Sequence, residues 1–435
     1  MYAAIGGLSA VLAHRGVSVF HDGLRPTIPS VRNGEMSRKE VSRISFALAW
    51  GFFWAFGLPF SVGFVVPLVY VIFMLSDWIG VSTPADHTRP WYGSRAARQG
   101  VAIAFVAGAA YGAAMAVALH LVTRAMHDVP VEMADVTPLF SKPALGVFLL
   151  FAILTAAYHF GVRRAAPTVV AGLAGWIFGE AIDYGQPASW GFVAAFVVLI
   201  AQLVQQIRAP APPPEGAVAA WAVDDEDDDA DEVFGQVRRI KSAAIPIVAL
   251  AALMGAAYNW GFMAKDPVSG ELYSLGLAVP AALVMLAWAF AFIPMKFTTA
   301  AVTGCMATGT FLDAGLAFLM PSPWVAAIAV GALRLVEIWS ILPLVRLFER
   351  APSIREVADV MRTAIFHVVE IGFLIGGALA AFQWAGELGF AAVIGAWWLN
   401  SRANSPVMPM SIGPTAALAV GVVANVLHVV GVPLT

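Results

Sequence analysis

The sequence predicts an all-α fold, a polytopic bundle of transmembrane helices, and two observations carry that reading. Hydrophobic residues make up 60% of the 435-residue chain and charged residues only 12%, against about half and about a quarter in a soluble domain. The apolar residues also fall into continuous runs of about 17–25 residues, each long enough to cross ~30 Å of hydrocarbon as a helix. An outer-membrane barrel would instead need alternating segments of about ten residues, and runs such as Ala144–Tyr158 do not alternate.

The partner this composition implies is the lipid bilayer. A net charge of −3 gives no field that would draw nucleic acid, and the single cysteine, Cys305, lies in an apolar run, which excludes a disulfide framework or a cysteine-based zinc site. There is no GxxxxGK[ST] phosphate loop, no GxSxG elbow and no HExxH pair. No cofactor and no metal are expected.

Taken in order, the first run, Tyr2–Phe20, reads as a retained helix rather than a secretory signal: it lacks a basic leader and a small-residue cleavage site, and it carries His14 and Arg15. Loop 21–43, with Arg25, Arg32, Arg38, Lys39 and Arg43, and loop 82–99, with Arg89, Arg95 and Arg98, are assigned to the cytoplasmic side. The apolar stretch 44–81 between them then crosses twice, with a turn near Pro59 or Gly63. Helices at 100–124, 144–162, 166–183 and 189–207 complete the first half. Helices near 242–264, 272–294, 297–320, 323–343, 362–383, 386–400 and 412–432 form the second, for about 12–14 crossings with both termini outside. The Arg346, Arg350, Arg355 and Arg362 cluster is inside.

The domain plan is a membrane half over 1–207, a cytoplasmic linker over 208–241 and a second membrane half over 242–435. The linker opens with Pro210 and Pro212–Pro214, then an acidic run Asp224–Asp229 with Asp231 and Glu232, a composition expected to stay solvated. An odd number of crossings per half would place the halves in opposite orientations, the inverted repeat typical of secondary transporters.

Ionisable residues in apolar runs are costly and mark candidate sites. Asp313 lies mid-run among small residues with no charged neighbour one turn away, so it is expected to face a polar cavity with Arg334 or Glu370 in reach. Arg334 and Glu337 share one helix face, as do His367 and Glu370. Asp313, Arg334, Glu337, His367 and Glu370 are the expected solute-binding residues. The plainer reading of Arg334–Glu337 is a mutually satisfied structural pair, and Lys296, after Pro294, reads as an interfacial lysine whose ammonium reaches water. His120, His159 and His428, near helix ends, read as interfacial or core residues.

The most distinctive block is Leu12–Ala13–His14–Arg15, then Val19–Phe20–His21–Asp22–Gly23–Leu24–Arg25–Pro26, Pro29, Gly34 and Met36–Ser37–Arg38–Lys39–Glu40. His14, Arg15, His21, Asp22 and Arg25 gather at the end of the first helix, where Pro26 and Pro29 forbid its continuation, and form a candidate gate or coupling element. The plainer reading is a topological anchor. This block resembles the start of the YhfT family of bacterial inner-membrane proteins. A second likeness covers Ser322–Pro323, Val325–Ala327 and Pro352–Arg355. The resemblance implies a multi-pass transport protein of the bacterial inner membrane with no established solute, so it supplies no site residues.

The expected function is a permease for a small polar metabolite, working by alternating access, in elevator fashion or otherwise, with a coupling ion and a homodimer both allowed. Two alternatives remain: the membrane subunit of a phosphotransferase-like sugar system, and an intramembrane enzyme acting on a lipid-linked substrate, for which His21–Asp22 or Asp86–His87 could supply acid–base chemistry.

Overall fold

The computed structural model describes residues 1–58, 61, 66–84, 93–131, 133, 147–182, 187–208, 227–350 and 352–432. The expected turn at Pro59 or Gly63, the Asp86–His87 pair and the proline-rich opening of the linker lie outside the described residues. Sixteen α-helices occur among those described, with one two-stranded parallel pairing as their only sheet. Six of the helices are long and apolar enough to cross a membrane, or seven if the pair Glu232–Ser242 and Ala244–Asn259, bent by 58°, counts as one span. The protein is a multi-pass helical membrane protein.

The first helix, α1 (Tyr2–Arg15), is shorter than the run Tyr2–Phe20. It stops because Gly16 takes the left-handed conformation (φ 60°) and caps it, after which Ser18–Val19 form strand β1. A 3-10 turn (Asp22–Leu24) and α2 (Thr27–Arg32) occupy the expected loop 21–43. Helix α3 (Arg38–Phe52) opens on a capping box in which Ser37 and Glu40 satisfy each other's backbone N–H groups. Helices α4 (Val69–Ser82) and α5 (Arg95–His127) come next. Helices α1 and α5 approach so closely that a Cβ on Gly108 would sit 2.4 Å from the Gly6 carbonyl oxygen. Close backbone approach of this kind is how membrane helices gain van der Waals contact without a hydrophobic drive.

Helices α6 (Leu150–Phe160), α7 (Val162–Ile182) and α8 (Pro187–Arg208) fall where three helices are expected, and among the described residues α7 alone of these is long and apolar enough to cross a membrane. The linker is not solvated throughout. Its end is α9 (Asp227–Ser242), which buries Val237 and Ile240 against the bundle. The acidic run ends inside that helix, so composition alone mistook an amphipathic element for a tether.

In the second half, α10 (Ala244–Asn259) and the short α11 (Pro267–Ser274) precede α12 (Ala278–Thr303). The expected division into 272–294 and 297–320 is wrong. Helix α12 continues through Pro294, which membrane helices tolerate when neighbours satisfy the freed carbonyls. The break falls later, at Gly304 (φ 64°), and leads into strand β2 (Met306–Ala307) and α13 (Phe311–Phe318). Helix α14 (Pro323–Arg350) leads to α15 (Pro352–Arg402), which is interrupted at Ala385–Gly386, where the sequence places a boundary, and α16 (Pro409–Val429) closes the bundle.

Candidate functional site

The two chain breaks share one plan: a helix, a left-handed glycine, one residue, then a two-residue strand. As many residues separate Gly16 from Gly304 as separate Ser18 from Met306, and the strands pair in parallel in that register, Ser18 with Met306 and Val19 with Ala307. Met306 N–H donates to the Val17 carbonyl (2.9 Å) and Thr308 N–H to that of Val19 (3.0 Å). Ser18 Oγ donates to the Met306 carbonyl (3.1 Å) and lies 2.5 Å from Thr308 Oγ1. The pairing satisfies backbone groups that the helix breaks leave without intrahelical partners.

Below the second break lies a closed set of four buried charges. Arg334, on α14, is paired with Asp313 at the start of α13 and with Glu337 one turn away (3.0 Å). Glu337 also takes Lys296 from α12, and all four residues are at most 4% exposed. The arginine fixes the break itself by donating to the Ala307 carbonyl (3.1 Å), while Asp313 accepts the Thr310 N–H (2.9 Å). Two cations and two carboxylates balance, so the set needs no outside ion.

The first break is held differently. Asp77, fully buried in α4, accepts the N–H groups of Phe20 (2.7 Å) and His21 (3.1 Å) on one oxygen. Arg25 pairs with Asp22 and reaches the Lys296 carbonyl (3.3 Å), which ties this break to the four-charge set. His21 Nδ1 accepts from Gly23 N–H (2.9 Å), and His14 Nδ1 lies 3.3 Å from the Gly80 carbonyl. Helix α9 runs beneath both breaks. Arg239 donates to the carbonyl of Arg15, the last residue of α1. Arg32, held by Gln236, donates to that of Thr303, the last residue of α12. Each broken helix therefore ends on an arginine, the cation its carbonyl terminus favours.

One buried cation stands outside these pairs. Lys265, 5% exposed, holds its ammonium over the rings of Phe20 (4.4 Å), Phe311 (4.5 Å) and Tyr70 (5.2 Å). Phe20 is the residue after β1 and Phe311 opens α13, so Lys265 sits where the chain leaves the two strands. The neighbouring Asp266 is occupied by the N–H (3.1 Å) and hydroxyl of Ser269.

The family model for YhfT, described as a protein of unknown function, matches residues 1–432. The chain belongs to the YhfT family. The uncharacterized protein YhfT of Escherichia coli (strain K12) is 27% identical over 463 residues, covering 99% of this chain and 96% of its own. No solved structure matches.

YhfT relatives bring no assigned activity, so residue roles rest on geometry. Of the expected solute-binding residues, Asp313, Arg334 and Glu337 come together. Asp313 does not open onto a cavity: it is fully buried as the partner of Arg334. It lacks a local partner in sequence because its partner lies on another helix. Lys296 is not interfacial but one of the four buried charges. Glu370 and His367 lie apart on α15, where Glu370 accepts from Trp397 Nε1 (3.0 Å) and the exposed His367 faces the Tyr158 hydroxyl (3.3 Å). In the expected gate, Arg25 and Asp22 pair and His14 and His21 bind backbone, while Arg15 offers its carbonyl to α9. A cavity with room for about one water lies against the strand pair, bounded by Leu12, Ser18, Met254, Thr308, Gly309 and Arg334 among others. Sequence reasoning passed over Asp77 and Lys265. Asp77 carried the same signal as Asp313, a carboxylate in an apolar run.

Proposed function

We propose that this YhfT protein is a transporter for a small polar metabolite in the bacterial inner membrane, working by alternating access around the paired breaks. One observation carries the reading: two helices, α1 and the apolar α12, stop at matching glycines, and their extended continuations pair beside buried charges. Non-helical backbone at membrane depth is tolerated where it is buried in protein or lines a water-filled path, and broken helices of this kind frame the sites of secondary transporters. The inverted relation of residues 1–207 to 242–435 belongs to this proposal, as does a cytoplasmic 208–241.

The test needs no knowledge of the solute. Thr308→Cys is introduced with Cys305→Ala, and a small impermeant thiol reagent is applied to right-side-out and to inside-out vesicles. Alternating access predicts labelling from both sides, each blocked when the protein is held in the opposite state. A cysteine that labels from neither side, in a protein that folds normally, means that the strand pair is a static core and removes the proposal.

A further inference from the structure

Lys265 differs from the other buried cations of the paired breaks in lacking a carboxylate of its own. Among the described residues Arg25 has Asp22, Lys296 has Glu337, and Arg334 has Asp313 and Glu337, each within ion-pair distance. Among the described residues the Lys265 ammonium meets three aromatic faces, which attract a cation but accept none of its three N–H bonds in the manner of a carboxylate or carbonyl. The acids nearest it electrostatically are Asp22, Asp313 and Asp266, and each is engaged elsewhere: by Arg25, by Arg334 and the Thr310 N–H, and by Ser269. A lysine held 5% exposed among rings, with no carboxylate in ion-pair distance among the described residues, is an arrangement that a bound anion would complete.

Two further orphans lie in the same neighbourhood. The hydroxyl of Tyr258, a fully buried residue, has no partner among the described atoms, and that of Thr310, the residue before the Phe311 ring that covers Lys265, faces the Asp313 N–H in a capping box but has no acceptor for its own proton. Both can donate. Tyr258 and Lys265 share three charged or titratable groups in their surroundings, Asp313 and Asp266 around both and Tyr70 beside both.

We infer that Lys265 is the anchor for the anionic group of the transported solute, a small organic acid seated against Phe20, Tyr70 and Phe311, with the Tyr258 and Thr310 hydroxyls as further donors. This rests on the transporter reading and names the substrate class. The aromatic faces suit an apolar body beside the acid, and the site lies between the two breaks, so any change in their pairing changes its walls.

The test uses the full-length protein in lipid nanodiscs and a panel of acids (acetate, succinate, glutamate, inorganic phosphate), each beside an uncharged counterpart at constant ionic strength. Melting followed by tryptophan fluorescence reports binding, because a ligand held by the folded state raises the transition with its concentration. At least one organic acid is expected to stabilise the wild type and its uncharged amide not to. Lys265→Met is expected to fold and to weaken that binding by about ten- to a hundredfold, the loss of a charge-assisted hydrogen bond. Tyr258→Phe, which removes only an orphan hydroxyl, is expected to weaken it by a smaller factor and serves as the check if Lys265→Met misfolds. Stabilisation by no acid, by phosphate alone, or equally in wild type and Lys265→Met overturns the assignment. The Thr308→Cys accessibility result stands apart, so alternation without an acid site would refute this inference and leave the transporter reading intact.

Discussion

Two buried charged regions lie at the paired breaks, and they are built on opposite terms. In one, Lys296, Glu337, Arg334 and Asp313 satisfy one another across α12, α13 and α14. In the other, Lys265 is surrounded by rings, and the nearby acids are spoken for. Buried charges are not interchangeable evidence of function. A balanced network holds elements in place and resists substitution, whereas an unbalanced cation keeps a binding capacity in reserve. The four-charge set fixes the second break to its neighbours, so that Lys265 and the rings around it are presented in a defined arrangement.

The largest expected effect comes from opening the closed network at its hub. Arg334→Met strands Asp313, leaves Glu337 with Lys296 alone and releases the Ala307 carbonyl, and should lower stability by about 3–5 kcal/mol; chemical denaturation in detergent measures it. Asp313→Asn keeps the shape and leaves Arg334 its contact with Glu337, so a loss of about 1.5–3 kcal/mol is expected, the value of a charged hydrogen bond. A variant that melts like wild type would return Asp313 to the role of a solute-facing group.

How far these regions were legible in the sequence depends on the range of the contacts that make them. The all-helical membrane fold was readable because apolar run length is local information, and the Arg334–Glu337 contact because three residues on a helix is local too. The pairing of Ser18 with Met306 was not, since nothing near either residue announces a partner at the far end of the chain. Thr303–Gly304–Cys305–Met306–Ala307 reads as continuing helix when it is a break, and Pro294 reads as a break when it is continuing helix. That exchange moved Lys296 to the interface and hid the network. Lys265 was missed because Lys265–Asp266–Pro267 between apolar runs has the look of an ordinary polar loop.

The glycines that end the two broken helices sharpen the comparison further. Alanine in a left-handed conformation costs about 1–2 kcal/mol, so Gly16→Ala and Gly304→Ala should each destabilise by that amount. Each Cβ would also meet a neighbour, Ile28 Cγ2 at 2.9 Å for Gly16 and Gln236 Oε1 at 2.4 Å for Gly304, and the Gly304 variant should cost more because Arg32 holds Gln236 in place. Equal losses would show that Gln236 moves aside freely and that α9 does not brace the second break.

The smallest effect lies far from both regions. Ser37, through its backbone and hydroxyl donors, holds the Glu40 carboxyl below the usual carboxylate range. A depressed folded value contributes stability that is complete above the unfolded value of 4.5 and is lost as pH falls through the folded one. Glu40→Gln should therefore flatten a shallow acid-side decline in stability below about pH 4.5 and leave neutral stability almost unchanged; an unaltered pH profile would show that the capping box adds nothing.

The most direct measurement of the contrast is the stability of Lys296→Met beside that of Lys265→Met, the same replacement of one buried ammonium in each region. The account predicts that Lys296→Met loses about 2–4 kcal/mol, because Glu337 is left with half of its partners, and that in the absence of ligand Lys265→Met is as stable as wild type or more so. A loss of the same size at Lys265 would mean that its ammonium is already satisfied within the protein, and the distinction between a closed network and an open site would fail.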